Sequence, residues 1–143
     1  MYNAEVEKIL QLGRHGVLAL VPIDKLKRHE EVLEHKVASL EDDIRSRGVL
    51  IRPILVDAKT LVILDGHHRV EALRRLGARR VPAVLVDYDS DCVNVDSWRE
   101  GVTVSKDEVR RRGLSGDPYP PKTSRHRLCF NIPEVNYSLS NLV

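Results

Sequence analysis

The chain has 143 residues, a length that suits one domain with a buried core and is too short for a second enzyme domain beside it. Its 23 lysines and arginines are nearly balanced by 21 aspartates and glutamates, so the formal net charge of +2 does not by itself indicate nucleic-acid binding. No stretch approaches the roughly 18 consecutive apolar residues of a membrane-spanning helix, and no signal peptide is evident, so we expect a cytoplasmic protein without a membrane partner. A single glutamine beside abundant arginine and glutamate weakly favours a thermophilic source.

The first part of the chain predicts an irregular alternation of short strands and helices. In chain order, the predicted elements are a helix over residues 4–12 that ends at Gly13, a strand over Val17–Val21, a helix containing Val37, Leu40 and Ile44 that ends at Gly48, a strand over Leu50–Asp57, a hairpin partner over Thr60–Leu64, a helix containing Val70, Leu73 and Leu76 that ends at Gly77, and a strand over Val81–Val86. This order favours a small mixed α/β (α+β) domain over a doubly wound nucleotide-binding fold.

The pattern weakens after Asp87. Lys106–Arg112 predicts a short basic helix that stops before Gly113, and the proline-rich residues 115–121 predict an irregular connection. Cys92 and Cys129 lie far apart, without a spacing typical of a zinc site, so buried or unreactive thiols are expected, and a disulfide is the unsupported alternative.

The turn that follows Leu64 is the strongest candidate for a functional site. Asp65, Gly66, His67, His68 and Arg69 lie where an apolar strand gives way to the first turn of a helix. Free N–H groups and a partial positive charge at a helix N-terminus favour an anion, so this turn predicts a phosphate site. The Asp65 carboxylate could hold Mg²⁺ for that phosphate, or could simply cap the helix.

A second cluster, near the C-terminus, combines cations with hydroxyls. It consists of Lys122, Thr123, Ser124, Arg125 and His126. Arginine offers a planar fork of donors to a carboxylate or phosphate, and hydroxyls add short hydrogen bonds, so the cluster is typical of an anion-binding segment. The alternative is a solvated basic tail, although the flanking prolines and apolar residues favour an ordered segment.

The turn from Asp65 to Arg69, together with the downstream residues Ala72, Leu73 and Gly77, resembles the core of the ParB/sulfiredoxin-like superfamily. The resemblance extends approximately from Val17 to Asp87 and implies a small mixed sheet with this turn at the ligand site. Sulfiredoxins carry a catalytic cysteine where this chain has His67, so sulfinate repair is not expected. Chromosome-partitioning ParB proteins add a helix-turn-helix and a dimerisation segment, for which the remaining residues leave little room.

Three further features resemble the archaeal-type free L-serine kinases of that superfamily. They are the double histidine of the Asp65 turn, the pair His29–Glu30, and the Lys122–His126 cluster with Trp98 before it. The resemblance implies transfer of a phosphoryl group from ADP, ATP or pyrophosphate to L-serine, giving O-phospho-L-serine for cysteine biosynthesis, with Mg²⁺ as cofactor.

The same resemblance implies roles for individual residues and a layout for the chain. Glu30 would be the general base, the Asp65 turn would bind the phosphates and the metal, and Trp98 with the Lys122–His126 cluster would bind the substrate. The layout would be a single domain over residues 1–143, with a core at about 17–87 and a substrate-binding segment at about 98–143. Longer family members carry an extra segment where this chain has the short connector Arg99–Pro121.

Several alternatives remain open at the level of the sequence. Glu31 and Glu34 are as acidic as Glu30, so the residues alone leave three candidates for the base. His67 could be a packed core histidine, Trp98 a hydrophobic anchor, and His29 a structural residue. The competing function is a non-catalytic or DNA-associated ParB-like nucleotide-binding module. The donor and the oligomeric state are not predicted.

Overall fold

A mixed β-sheet with helices on both faces forms the centre of the computed structural model, which describes residues 5–143. Its strands are β1 (Glu7–Leu12), β2 (Gly16–Pro22), β3 (Lys27–Arg28), β4 (Val49–Leu50), β5 (Ile54–Asp57), β6 (Val62–Asp65), β7 (Arg80–Val86), β8 (Val93–Ser97), β9 (Ser124–Leu128) and β10 (Tyr137–Ser138). Its helices are α1 (Glu34–Arg47), α2 (His67–Arg75) and α3 (Lys106–Ser115).

Six of these strands form the main sheet, in the order β1-β2-β7-β5-β6-β3. β2 runs antiparallel to β1 and β7, while β5 lies parallel to β7 and antiparallel to β6. The short edge strand β3 pairs in parallel with β6. Two further pairs, β8 with β9 and β4 with β10, form separate antiparallel ribbons. Because β3 and β6 run parallel and adjacent, the residues that follow them, including His29 and Glu30, lie beside the Asp65 turn.

Both faces of the central strands are buried, which makes the fold three-layered. Along β6, Ile63 belongs to one apolar cluster, whereas Val62 and Leu64 belong to the other, as the two-residue period of a strand requires. α1 and α2 cover the first face through Val37, Ile44, Val70 and Leu73. The second face is covered by α3 and the β8–β9 ribbon. The mixed α/β fold class is therefore confirmed.

The N-terminal prediction was wrong. Residues 7–12 form the edge strand β1 where a helix over 4–12 was predicted, and Ala4 lies outside the described residues. The segment turns back at Gly13, whose φ is 62°, and pairs along the free edge of β2. The predicted strand over Leu50–Asp57 is two strands, since Pro53 cannot donate to a ladder and β4 and β5 belong to different sheets.

Two predictions for the second half were also wrong. Gly113 lies inside α3, which continues to Ser115 and ends at Gly116 in the left-handed conformation. A Cβ on Gly113 would lie 2.6 Å from Val62 Cγ2, so glycine is present for close packing against the sheet and does not end the helix. Cys92 and Cys129 form a disulfide that joins the start of β8 to the end of β9. No helix within residues 5–143 is long and apolar enough to cross a membrane.

Candidate active site

The turn between β6 and α2 exposes the N-terminal end of a helix. Gly66 precedes α2 with a φ of 110°, and a Cβ there would lie 2.5 Å from Ile54 Cγ2. No side chain caps the helix, so the carboxylate of Asp65 does not have the capping role. It is 68% exposed and lies 3.7 Å from Arg69 Nη2. The first-turn N–H groups and the exposed Asp65 carboxylate therefore lie together, as the sequence predicted.

A pocket of about 230 Å³ lies over this turn and brings together three separated parts of the chain. It is lined by Glu30, Leu40, Leu64, Asp65, Gly66, His67, His68, Arg69 and Ser124. The pocket thus combines the predicted base, the whole predicted phosphate turn and one residue of the C-terminal cluster.

Glu30 is the most heavily hydrogen-bonded carboxylate in this pocket. It is 7% exposed, and its Oε2 accepts from the N–H of Lys122 at 3.0 Å. Its Oε1 accepts a hydrogen bond from the N–H of Ser124 at 2.9 Å and lies equally close, at 2.9 Å, to the Oγ of the same residue. Lys122 has a φ of 55°, an uncommon conformation for a residue with a side chain, and its N–H and that of Ser124 both donate to this carboxylate. Glu30 therefore anchors the C-terminal cluster to the pocket. Glu31 is exposed, and Glu34 accepts hydrogen bonds from Arg75 on the surface.

His29 extends this network inward. It is fully buried, its Nδ1–H donates to the carbonyl of Ile63 at 2.7 Å, and its Nε2 lies 2.7 Å from Ser124 Oγ. Burial lowers the pKa of His29 to about 4, so the ring is neutral and Nε2 is an acceptor. The single hydroxyl proton of Ser124 thus has two acceptors, Glu30 and His29. His29 orients Ser124 and, through it, Glu30.

Two further histidines pack around His29. The rings of His67 and His126 lie 4.7 and 5.9 Å from it, centroid to centroid, and His126 Nε2 is 2.7 Å from the hydroxyl of Tyr88. Burial lowers the pKa of His67 well below its usual value and that of His126 to about 3. Both are neutral packed groups, although His67 also lines the pocket.

The rest of the C-terminal cluster lies beside the pocket. Arg125 points to the other face of β9, where its Nε donates to Asp96 Oδ1 at 2.7 Å and its guanidinium lies 4.7 Å from the Trp98 ring. Trp98 is 62% exposed, and its N–H donates to the carbonyl of Thr123. Thr123 is buried, with its hydroxyl donating to the carbonyl of Pro120. Direct substrate contacts by these residues and by His126 stay predictions.

Lys36, on the first turn of α1, is a further cation near the pocket residue His68, and no sequence motif includes it. The ammonium of Lys122 beside it lowers the pKa of Lys36, and both lysines help to lower the pKa of His68, for which burial is the largest cause. His68 Nε2 accepts from the N–H of Leu33 at 3.0 Å. The charges of both lysines thus act on His68, which lines the pocket, and favour an anion near it. No local pattern distinguishes Lys36 among the cations of the chain, because its partner is 86 residues away.

An apolar groove of about 280 Å³ adjoins the pocket and shares Leu40 and Arg69 with it. The other lining residues are Asp43, Ile44, Val49, Leu50, Ile51, Arg52 and Glu134. Arg69 lies between the two spaces, and its Nη1 donates to the carbonyl of Pro53 at 2.7 Å. The arrangement offers a polar end for phosphates and an apolar end for a flat ring.

Residues 7–96 match the family model described as the ParB N-terminal domain, which is more than half of the chain. The chain belongs to the ParB N-terminal domain family. The predicted membership of the ParB/sulfiredoxin-like superfamily is thereby confirmed, and the match includes the strand β1.

Individual relatives of this ParB N-terminal domain protein are named as kinases. It is 32% identical over 109 residues to the ATP-dependent L-serine kinase of Staphylothermus marinus, covering 71% of this chain and 43% of that protein. It is 34% identical over 97 residues to the ADP-dependent L-serine kinase SerK of Thermococcus kodakarensis, covering 64% and 40%. The chain therefore spans less than half the length of these curated relatives.

The fold is shared with a solved kinase structure. A free serine kinase in complex with AMP superposes with a TM-score of 0.79 at 20% identity, covering 96% of this chain and 100% of that one. At this identity the likeness shows the common ParB-like fold.

Proposed function

We propose that the protein is a free L-serine kinase that transfers a phosphoryl group from ADP, ATP or pyrophosphate to the serine hydroxyl, giving O-phospho-L-serine. The observation that carries this proposal is the pocket in which the buried Glu30 carboxylate and the uncapped N-terminus of α2 share one space. The kinase names of the relatives support the choice of serine as acceptor and of a nucleotide as donor. A cytoplasmic location and a role of the product in cysteine biosynthesis are parts of the same proposal.

The donor is proposed to lie with its phosphates over the α2 N-terminus. The N–H groups of the first turn, the two lysines Lys36 and Lys122, and the side chains of His68 and Arg69 offset the phosphate charge. The base of a nucleotide would occupy the adjoining apolar groove, on the opposite side of Arg69 from its phosphates. Pyrophosphate would use the phosphate end alone, so the groove separates the donor classes.

The residues at the turn fit a magnesium ion. Asp65 offers an exposed carboxylate that has no capping role, and Mg²⁺ is commonly held by one or two carboxylates together with phosphate oxygens. The bound ion would offset charge on the transferred phosphoryl group. Both oxygens of Glu30 already accept N–H donors, which leaves them poorly placed to bind a metal ion. We therefore assign the metal to Asp65 and the role of general base to Glu30.

Glu30 is proposed to accept the proton of the serine hydroxyl as that oxygen attacks phosphorus. Ser124 Oγ lies between Glu30 and the neutral His29, which holds the carboxylate in a fixed orientation for accepting the proton. Trp98, Arg125 and the neighbouring residues Lys122, Thr123, Ser124 and His126 are proposed to hold the amino-acid part of serine, with Arg125 exchanging Asp96 for the substrate carboxylate.

The test is to incubate the purified protein with L-serine, Mg²⁺ and, separately, ADP, ATP or pyrophosphate, and to follow O-phosphoserine by ³¹P NMR. Glu30→Gln should lower kcat by about 10²- to 10⁴-fold, because the amide cannot accept the proton. Glu31→Gln, at an exposed neighbour, is the matched control and should keep wild-type activity.

Two outcomes would contradict the proposal. Absence of product with every donor would reject the kinase, and nucleotide binding without product would favour the ParB-like binding module. Full activity of a folded Glu30→Gln protein would keep the reaction but remove Glu30 as the base. Melting temperatures of both variants separate a loss of chemistry from a loss of the anchor that Glu30 gives to residues 122–124.

A further inference from the structure

The side chains of one histidine and of the two disulfide-bonded cysteines converge at the end of the β8–β9 ribbon that is remote from the pocket. One imidazole nitrogen of His15 and the sulfurs of Cys92 and Cys129 all lie within 4.8 Å of one another. His15 belongs to the β1–β2 turn, whereas the cysteines flank β8 and β9. The three residues thus come from three distant parts of the chain.

Packing holds the β1–β2 turn against this end of the ribbon. A Cβ on Gly16, next to His15, would lie 2.9 Å from Cζ of Phe130, which follows Cys129. The N–H of Cys129 donates to the carbonyl of Cys92 at 2.9 Å, so the cysteines are also aligned by the backbone. His15 lines a pocket of about 300 Å³ and Cys129 is exposed, whereas Cys92 is buried. The group therefore has a fixed arrangement that solvent reaches from the side of His15 and Cys129.

We propose that the reduced protein binds a thiophilic cation such as Zn²⁺ through Cys92 Sγ, Cys129 Sγ and a His15 ring nitrogen, with water as the fourth ligand. Ligands at ~2.1–2.3 Å from a tetrahedral zinc lie roughly 3.5–4 Å apart, so the opened sulfurs and the imidazole need only small shifts to surround the ion. Two thiolates and one imidazole are a donor set that zinc prefers over Mg²⁺.

The disulfide and the metal site exclude each other. A dithiol reductant delivers two electrons and two protons to the S–S bond and itself becomes a cyclic disulfide, leaving two thiols on the protein. Binding of Zn²⁺ then releases both thiol protons to the solvent. Either state ties the ends of β8 and β9 together, but the metal state also ties them to the β1–β2 turn.

This site is separate from the proposed magnesium site. In the β8–β9 ladder, Val93 pairs with Leu128 at the cysteine end, and Ser97 pairs with Ser124 at the pocket end. Four residues of strand, at ~3.3 Å each, separate the two ends. The inference therefore stands whether or not the proposed kinase activity is found.

The test is a zinc titration of the full chain in competition with a chromophoric chelator, after reduction and removal of the reductant without oxygen. The reduced protein should bind one Zn²⁺, and the oxidised protein none at this site. His15→Ala should weaken the affinity at least tenfold, whereas His35→Ala, at an exposed histidine on α1, should not change it. Co²⁺ bound to the reduced protein should show thiolate-to-metal charge-transfer absorption.

Two results would overturn the proposal. One is a reduced wild-type protein that binds no stoichiometric Zn²⁺ while its circular dichroism stays native. The other is a His15→Ala protein that binds Zn²⁺ as tightly as the wild type, which would leave an ordinary dithiol in place of a three-ligand site.

Discussion

At the scale of single residues, Gly66 places a strong steric constraint on the Asp65 turn. Its φ of 110° is unfavourable for any side chain, and Ile54 fills the space that a Cβ would need. We expect Gly66→Ala to lower the free energy of unfolding by about 2–4 kcal/mol, since backbone strain and steric overlap add. Urea denaturation of the two proteins measures this difference.

Gly77→Ala is the matched control for this substitution. Gly77 has a φ of 84°, but nothing lies within 4 Å of a Cβ built there. It should lose only the ~1–2 kcal/mol of a left-handed conformation. Equal losses in the two variants would mean that the contact with Ile54 has no energetic weight.

The choice among the three glutamates shows where residue-level prediction stops. The sequence places Glu30, Glu31 and Glu34 within one short stretch, and their types are identical. What distinguishes Glu30 is a set of hydrogen bonds from residues 92 and 94 positions away. The Asp65 turn could be predicted because strand, turn and helix N-terminus are contiguous, whereas a partner so distant leaves no local pattern.

At the scale of elements, the helices α1 and α2 could be predicted because their apolar positions recur at helical spacing and Gly48 and Gly77 follow them. β1 could not, since residues 7–11 are all exposed, so the strand has no buried apolar face and acquires its conformation from pairing with β2. Propensity is a weak guide where a neighbouring strand determines the structure. The same holds for Gly113, whose role depends on Val62 across the layer.

The close contact of Gly113 with Val62 limits how α3 packs on the sheet. In an isolated helix Gly→Ala would stabilise by about 1 kcal/mol, but here a Cβ would lie 2.6 Å from Val62 Cγ2. We therefore expect Gly113→Ala to destabilise the protein by ~1–3 kcal/mol, because overpacking exceeds the gain in helix propensity. Chemical denaturation gives the sign directly.

A double-mutant cycle with Val62→Ala isolates this contact. Val62→Ala alone should also destabilise, because it opens a cavity between β6 and α3. The double variant should lose at least ~1 kcal/mol less than the sum of the two single losses, since the smaller side chain makes room for the new methyl group. Strictly additive losses would show that Gly113 and Val62 do not limit the approach of the helix.

At the scale of the whole molecule, the three layers meet around a group of buried imidazoles. His29 follows β3, His67 begins α2, and His126 lies in β9, so each comes from a different part of the fold. None could be assigned to a common centre from the sequence, because their convergence depends on the complete topology. Their joint burial makes the stability of the whole fold sensitive to acid.

The free energy of unfolding should fall as the pH drops below about 6.5. In the unfolded chain each of these histidines takes up a proton near that pH, whereas in the folded protein the pKa values are about 4 for His29, about 3 for His126 and well below 6.5 for His67. The unfolded state then binds more protons than the folded state. The contribution of these neutral histidines to the free energy of unfolding is therefore fully present above pH 6.5 and is lost towards pH 4. These three groups give a slope of up to about 4 kcal/mol per pH unit near pH 5.5, and His68, whose pKa is also lowered by burial, adds to it.

Urea denaturation at pH values from 7 to 5 measures this slope above the range in which carboxylates such as Asp89, with a pKa of about 2, contribute. His126→Phe should reduce the slope by about one quarter to one third, because it removes one of the histidines whose pKa is lowered in the folded protein. His35→Asn, at an exposed position, should leave the slope unchanged. A free energy of unfolding that stays constant from pH 6.5 to 5 would mean that the three histidines take up protons within the folded protein, and that the centre of the fold is open to water.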